Sequence, residues 1–154
     1  MIRDEADAAL AQAEFFDICD EQQRRLLAFA GDRRHFEPDA VIYQDGDTPQ
    51  GAYVLISGTL KAKPAGKGAN KPYAISEPGS VVSAMALILD KPRQVTFTAV
   101  TDCDMLFVPR QAFLKLVQQS PDLAQRAVER IERDLGSYLG AIEPIGRRMR
   151  ANET

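Results

Sequence analysis

The chain has 154 residues and a mass of 17.0 kDa, enough for one domain with its own core and too little for a second of ordinary size. With 45% hydrophobic and 27% charged residues and a net charge of -3, it is neither a disordered segment nor a basic chain that demands a nucleic acid. The longest apolar run, Ala84 to Leu89, is far short of the roughly 20 residues that span a bilayer, so no membrane partner is expected.

The start, "MIRDEADAAL", is acidic where a signal peptide is basic and then apolar, which makes the cytoplasm the expected compartment. Residues 1–31 read as a helical cap. Asp20 is the candidate N-cap of its last helix, with Gln23 as the reciprocal partner of a capping box. Leu26, Leu27 and Ala30 are the expected apolar face, and Gly31 the expected left-handed stop. Ahead of this helix Phe15, Phe16 and Ile18 form an apolar cluster suited to pinning the cap against another element. Cys19 and the distant Cys103 have no CxxC spacing and no neighbouring histidine, so they read as packed thiols rather than a disulfide or zinc framework.

From Arg33 to Pro109 short runs alternate with turn residues, the pattern of an all-β unit. "VIYQDGD" ends in an Asp-Gly turn, Gly58 in "AYVLISGTLKAK" marks a tight reversal, and "PAGKGANKP" is a loop; these read as hairpins. His35, the single histidine, sits in what reads as a surface strand. Val95, Phe97 and Ala99 alternate with Thr96 and Thr98, the period of a strand buried on one face. The expected fold is mainly β: a β-roll or jelly roll of about eight strands over residues 33–109, with N-terminal helices and a long C-terminal helix.

Residues 110–143 return to helical spacing. Pro121 suits a first turn, and Ala124, Val128, Ile131, Leu135, Tyr138 and Ile142 recur at intervals of four and three. This is the seam of a helix that pairs with its twin across a homodimer, or one that packs on its own domain. Pro144 is the expected end of that helix, and residues 144–154, with Arg147, Arg148 and Arg150, read as a basic, frayed tail. The whole chain, 1–154, is expected to be one domain.

The common hydrolytic and metal-dependent sites need clustered His, Cys or carboxylate groups, and neither a phosphate loop nor a dinucleotide glycine fingerprint is present. No enzyme activity, metal or cofactor is expected. One stretch does suggest a ligand. In "SVVSAMALILDKPRQVTFTAV", Ser83 is placed to cap a short helix through Met85 to Leu89, whose first N–H groups attract an anion. Lys91 and Pro92 then turn the chain, leaving Arg93 just before a strand that enters the roll. Such an arginine either adds a planar pair of donors to the same anion or pairs with a carboxylate or solvent, and spacing leaves both open.

The order of helical cap, hairpins with "QDGD" and "YVLISGTLKA", the "MALILDKPR" cassette, "TAVTDCDMLFVPRQAF" and a long final helix resembles the cyclic nucleotide-binding domain of catabolite-activator-type regulators, cyclic-nucleotide-dependent kinases and gated channels. The resemblance runs from Phe15 to Leu135, with the cassette within residues 79–99. In that family the cassette reads Gly-Glu-Leu-Ala-Leu, a spacer, and Pro-Arg followed by small residues. Its arginine binds the cyclic phosphate with cassette amides, and its glutamate accepts the ribose 2′-hydroxyl. The resemblance therefore puts Arg93 on the phosphate, Pro92 before it, and Met85, Ala86, Leu87 and Ile88 on the cassette helix. Ser83 stands where the family has glycine and Ala84 where it has the glutamate. Gln94 and Val95 replace the small residues and crowd the pocket unless they turn away, with Gln94 able to offer an amide instead.

The implied ligand-binding set is Ser83, Ala84, Met85, Ala86, Pro92, Arg93, Gln94 and Val95, and the implied ligand is cyclic AMP, cyclic GMP or another phosphate-bearing small molecule. The resemblance leaves two readings. The chain is a sensor that signals through its C-terminal helix to a separate effector protein, or a degenerate fold that serves as a dimerisation or protein-interaction module. Regulators of this family carry a helix-turn-helix after the long helix, whereas "PIGRRMRANET" comes after Glu143 here, so direct nucleic-acid binding is not expected.

Overall fold

A computed structural model describes residues 2–13, 15–66, 68, 71–87 and 92–141, without the side chains of residues 2–4, 84, 85, 131 and 134–141. The cap consists of α1 (Ile2–Gln12), a 3-10 turn (Phe15–Ile18) and α2 (Glu21–Ala30). The capping box forms as expected: Gln23 N donates to Asp20 Oδ1 at 2.8 Å, and Asp20 N donates to Gln23 Oε1 at 2.9 Å. The apolar face of α2 differs from expectation. Leu27 and Ala28 are buried, whereas Leu26 is 52% exposed and Ala30 is on the surface, because the helix rests on the sheet along one narrow line. Gly31 ends α2 in an extended rather than left-handed conformation, φ -80° and ψ 169°. Its glycine serves a close approach instead, since a Cβ would stand 2.6 Å from the Phe107 carbonyl oxygen.

The cap leads into eight strands: β1 (Asp32–Phe36), β2 (Val41–Tyr43), β3 (Gly51–Ser57), β4 (Leu60–Pro64), β5 (Tyr73–Ile75), β6 (Val81–Val82), β7 (Val95–Ala99) and β8 (Cys103–Pro109). They make two antiparallel four-stranded sheets, ordered β1-β8-β3-β6 and β2-β7-β4-β5. This is the expected roll. Gly58 makes the reversal with φ 105°, but the strands it joins lie in different sheets. A strand has two edges, and those of β3 are taken by β8 and β6, so the reversal is a corner and not a hairpin. A hairpin does form between β4 and β5, where Leu60 pairs with Ile75.

Alternation along the central strands divides the interior in two. Ala52, Val54, Leu106 and Val108 face the helices, with Phe16, Leu27, Phe113 and Leu123 in one cluster. Tyr53, Leu55, Met105 and Phe107 face into the roll and meet Leu60, Ala62, Val95, Phe97 and Ala99. Phe16 sits edge-on to Phe15 at 5.4 Å and to Phe113 at 6.5 Å, so the aromatic cluster pins the cap to the C-terminal helices.

Those helices are α3 (Arg110–Gln119) and α4 (Pro121–Ala141). Leu123, Ala127 and Arg130 turn inward; Arg126 Nε donates to the Ile18 carbonyl at 2.7 Å, and Arg130 Nη1 bonds Asp17 Oδ1 at 2.5 Å. On the seam, Ala124 is half-buried and Val128 is 51% exposed. The side chains of Ile131, Leu135 and Tyr138, and residues Ile142 and Pro144 with the basic tail, lie outside the described residues. Among the described residues no helix is long and apolar enough to cross a membrane.

The outer face of β1 carries a charge cluster. His35 Nδ1 lies 2.9 Å from Asp104 Oδ1 and its Nε2 3.2 Å from Asp102 Oδ1, while Arg33 reaches Glu5 Oε2 of α1 at 2.6 Å and Asp104 Oδ2 at 3.4 Å. Hydrogen bonds to Asp104 and then Asp102 raise the His35 pKa above its ordinary 6.5, and the bond to His35 lowers that of Asp104 below 3.8. The raised histidine stabilises the fold below 6.5 and loses that contribution as pH rises through its folded pKa; the lowered aspartate stabilises above 3.8 and loses it in acid. His35→Gln should therefore melt below the wild type at about pH 5.5 and level with it at about pH 8.5, as read by circular dichroism. An equal difference at both pH values would mean that the imidazole acts by packing alone.

Candidate functional site

The cassette begins where β6 ends. Val81 and Val82 pair with Val54 and Tyr53, which sets Ser83 at the edge of the roll's buried sheet. Ser83 is 6% exposed with φ 64°, the left-handed region that costs a non-glycine residue about 1–2 kcal/mol. The expected cap does not form. An N-cap needs an extended backbone, and Ser83 Oγ has no hydrogen-bond partner; its carbonyl accepts Ala86 N at 2.9 Å instead.

Ala84–Leu87 form a 3-10 turn, and the rest of the helix expected through Leu89 falls outside the described residues. Ala86 and Leu87 are buried, and Leu87 belongs to the cluster that holds Phe113 and Leu123. The side chains of Ala84 and Met85 and residues Ile88, Leu89 and Lys91 lie outside the described residues. Arg110, the first residue of α3, closes the turn from behind: its Nη1 donates to the Ala86 carbonyl at 3.3 Å and to the Pro49 carbonyl at 3.4 Å.

Arg93 is half-buried and held by its main chain in the β2–β3 turn. Gly46 N donates to its carbonyl at 2.8 Å, and Arg93 N donates to the Asp47 carbonyl at 3.0 Å. Its Nε is buried without a hydrogen-bond partner, and its guanidinium stands beside the buried hydroxyl of Tyr43. Burial pushes the Tyr43 phenol up to about 12, against the nearby charge of Arg93, and the Tyr43 ring rests 5.1 Å from that of Phe97. Pro92 and Gln94 are exposed, and the Gln94 carbonyl accepts Ala65 N at 2.9 Å. Val95 points into the roll and is 7% exposed. Of the eight sequence-derived residues, Ser83, Ala86, Arg93 and Val95 are thus at least partly withdrawn from solvent, and Pro92 and Gln94 are not.

Tyr43 escapes a sequence reading because the β2 register shifts between Val41 and Tyr43. The shift puts both Ile42 and Tyr43 inside, against the strict alternation of a strand. Both cysteines are free and buried, and burial pushes the Cys19 thiol up to about 11, so neither is a ready nucleophile. Among the described residues no group of three His, Cys, Asp or Glu side chains could hold a metal ion.

Residues 33–120 match the profile of the family described as cyclic nucleotide-binding domain. The chain belongs to that family. This cyclic nucleotide-binding domain is 30% identical over 146 residues to the cGMP-dependent protein kinase of Eimeria tenella, covering 84% of this chain and 14% of that one. Over 93 residues it is 29% identical to the HTH-type transcriptional regulator Cmr of Mycobacterium tuberculosis, covering 60% and 38%. It therefore spans well under half the length of either relative. The N-terminal domain of a transcriptional regulator from Streptomyces coelicolor A3(2) shares the fold with a TM-score of 0.74 at 18% identity, over 87% of this chain and 94% of that one. The family is a regulatory, ligand-binding module rather than a catalytic one.

Ser83→Gly relieves the left-handed backbone and the unpaired hydroxyl, at the entropic cost of a glycine in the unfolded chain. A net gain of about 0.5–1 kcal/mol is expected, read as a higher urea midpoint at unchanged slope. A lower midpoint would mean that Ser83 makes contacts worth more than its strain.

Proposed function

We propose that the chain is a sensor domain that takes a cyclic nucleotide, or another phosphate-bearing small molecule, at the cassette between Ser83 and Arg93. The observation that carries this reading is the Nε of Arg93, a buried guanidinium donor without a partner. A buried donor left unmade costs about 1–3 kcal/mol, and a bound phosphate recovers it. In this reading the phosphate meets Arg93 and the amides of the turn at Ala84 and Met85, with Ala86 behind them and Val95 shaping the wall; Pro92 and the exposed Gln94 border it. The ligand is cyclic AMP or cyclic GMP, and a separate effector protein receives the signal.

A route to the helices supports signalling. The Ala86 carbonyl is bonded to Arg110 at the start of α3, and Leu87 is packed with Phe113 and Leu123. A ligand shifts α4 only by binding one arrangement of cassette and helices better than the other. Ala84 limits affinity: without the family's glutamate the ribose hydroxyl loses a charged hydrogen bond, about 1.5–3 kcal/mol or roughly 10- to 150-fold.

That loss favours a second reading, in which the fold is a dimerisation or protein-interaction module that binds no nucleotide. Val128, exposed on the side of α4 away from Leu123 and Ala127, supports it, since the seam through Leu135 and Ile142 would continue that face into a homodimer.

Calorimetric titration separates the two. The sensor gives saturable heat with cyclic AMP or cyclic GMP within about 1 mM, loses it in Arg93→Ala, and binds roughly tenfold tighter or better in Ala84→Glu. No heat in the wild type and none in Ala84→Glu leaves only the module. For the dimer, sedimentation of Val128→Asp should give a monomer where the wild type gives twice the mass of 17.0 kDa. A monomeric wild type, or an unchanged variant, removes the seam.

A further inference from the structure

The sheet β2-β7-β4-β5 turns its outer face to solvent. Register places Lys61 of β4 between Thr98 of β7 and Ala74 of β5, and Lys63 opposite Thr96, while Leu60 and Ala62 point into the roll. Lys61, Lys63 and, just before β5, Lys71 are exposed, and none of the three forms an ion pair among the described residues. The stretch that carries them has one sign of charge: residues 48–76 hold four lysines and no acid, in a chain of net charge -3. Acids gather at the opposite margin of the sheet. Glu37, Asp39, Asp45 and Asp47 are exposed in the turns that flank β2, with Asp45 N donating to Thr96 Oγ1 at 3.0 Å.

β5 pairs with β4 along one edge, and among the described residues no strand takes its other edge. Such an edge leaves backbone N–H and C=O groups open to another extended chain. Two copies of this edge repel each other through their lysines, whereas an acidic chain is drawn to the same groups. Strand spacing puts an added strand about 10 Å from β4. On the outer face the methyl of Ala74 stands between them, so the stem of Lys61 can lie across it and bring the ammonium to a carboxylate on the added strand. On the other face Tyr73, 52% exposed, offers a ring to an apolar side chain.

We propose that the open edge of β5 is a docking site for an extended acidic segment of a partner protein, with acids at alternate positions over the lysine face and apolar residues on the side of Tyr73. Main-chain bonds to β5 hold the segment, and the lysines select its charge. Lysines are hydrated point charges without the planar fork of arginine, which suits a row of carboxylates read by sign rather than one anion read by shape. A lipid surface or a nucleic-acid duplex is broader than the lysine strip and would also lie against the acids beside β2. A single strand at the β5 edge avoids them.

The probe is the labelled peptide Glu-Val-Glu-Val-Glu-Val-Glu, read by fluorescence anisotropy. Its controls are Lys-Val-Lys-Val-Lys-Val-Lys, of opposite charge, and Glu-Val-Glu-Pro-Glu-Val-Glu, whose proline breaks the ladder. On the full chain at about 50 mM salt, saturable binding is expected within about 1 mM, weakened about fivefold or more in either control and in the double variant Lys61→Glu with Lys63→Glu. Saturating peptide should also slow hydrogen exchange across residues 73–75. Should the double reversal not fold, Lys61→Gln with Lys63→Gln decides, with an expected loss of about twofold or more. Arg93→Ala should keep peptide binding whatever it does to nucleotides, so failure of the cassette reading leaves this one standing. Absent saturation, equal binding of a control, unchanged affinity in the lysine variants, unchanged exchange at 73–75, or loss in Arg93→Ala would each overturn the proposal. So would vesicles of about 30% phosphatidylserine that bind the chain through Lys61 and Lys63, which would assign the face to lipid.

Discussion

The β3–β8 pair, buried on both faces, is the constraint on which the rest of the molecule depends. Its side chains alternate between two separate cores, so the helices must cover one face and the second sheet the other. The edges of the same pair carry the cassette on one side and a charged strand on the other. β6, bonded to β3, delivers the cassette, and β1, bonded to β8, delivers Arg34. A polar substitution at Val54 or Leu106 would open the helical face, and one at Leu55 or Met105 the roll.

Arginines tie the elements around this pair. Arg24 Nη1 donates to the Cys19 carbonyl, Arg126 to that of Ile18, and Arg110 to those of Pro49 and Ala86. Each of these ends a chain segment whose carbonyl lacks a place in a helix or sheet ladder. Arg130 meets a carboxylate, Asp17. Arg93 differs, since its main chain is bonded on both sides while its buried Nε has no partner. That donor is the one the proposed phosphate would take.

Legibility in the sequence tracks the range of the interaction responsible. The Asp20–Gln23 capping box spans three residues, and the alternation of Val95, Phe97 and Ala99 needs only its own strand; both form as the sequence implies. Gly31 is legible as a helix end but not for its reason, because the Phe107 carbonyl that excludes a Cβ is remote in sequence. Gly58 is legible as a reversal, yet whether it makes a hairpin or a corner depends on β8 and β6 claiming the edges of β3. Ser83 has the residue type of a cap, and the closure of β6 onto the turn forces it into a left-handed backbone that prevents one.

The sequence by itself determined the eight-strand roll flanked by helices and the family, because periodicity, turn residues and a short linear motif are all local. Tertiary structure alone decided which polar groups are left without partners. Tyr43 enters the interior through a register shift, and Arg34 faces Phe107 because β1 pairs with β8 in one register, Arg34 opposite Met105. Displacing that register by one residue would send Arg33 inward in its place, so the charge that meets Phe107 and Tyr53 rests on a pairing between segments about seventy residues apart.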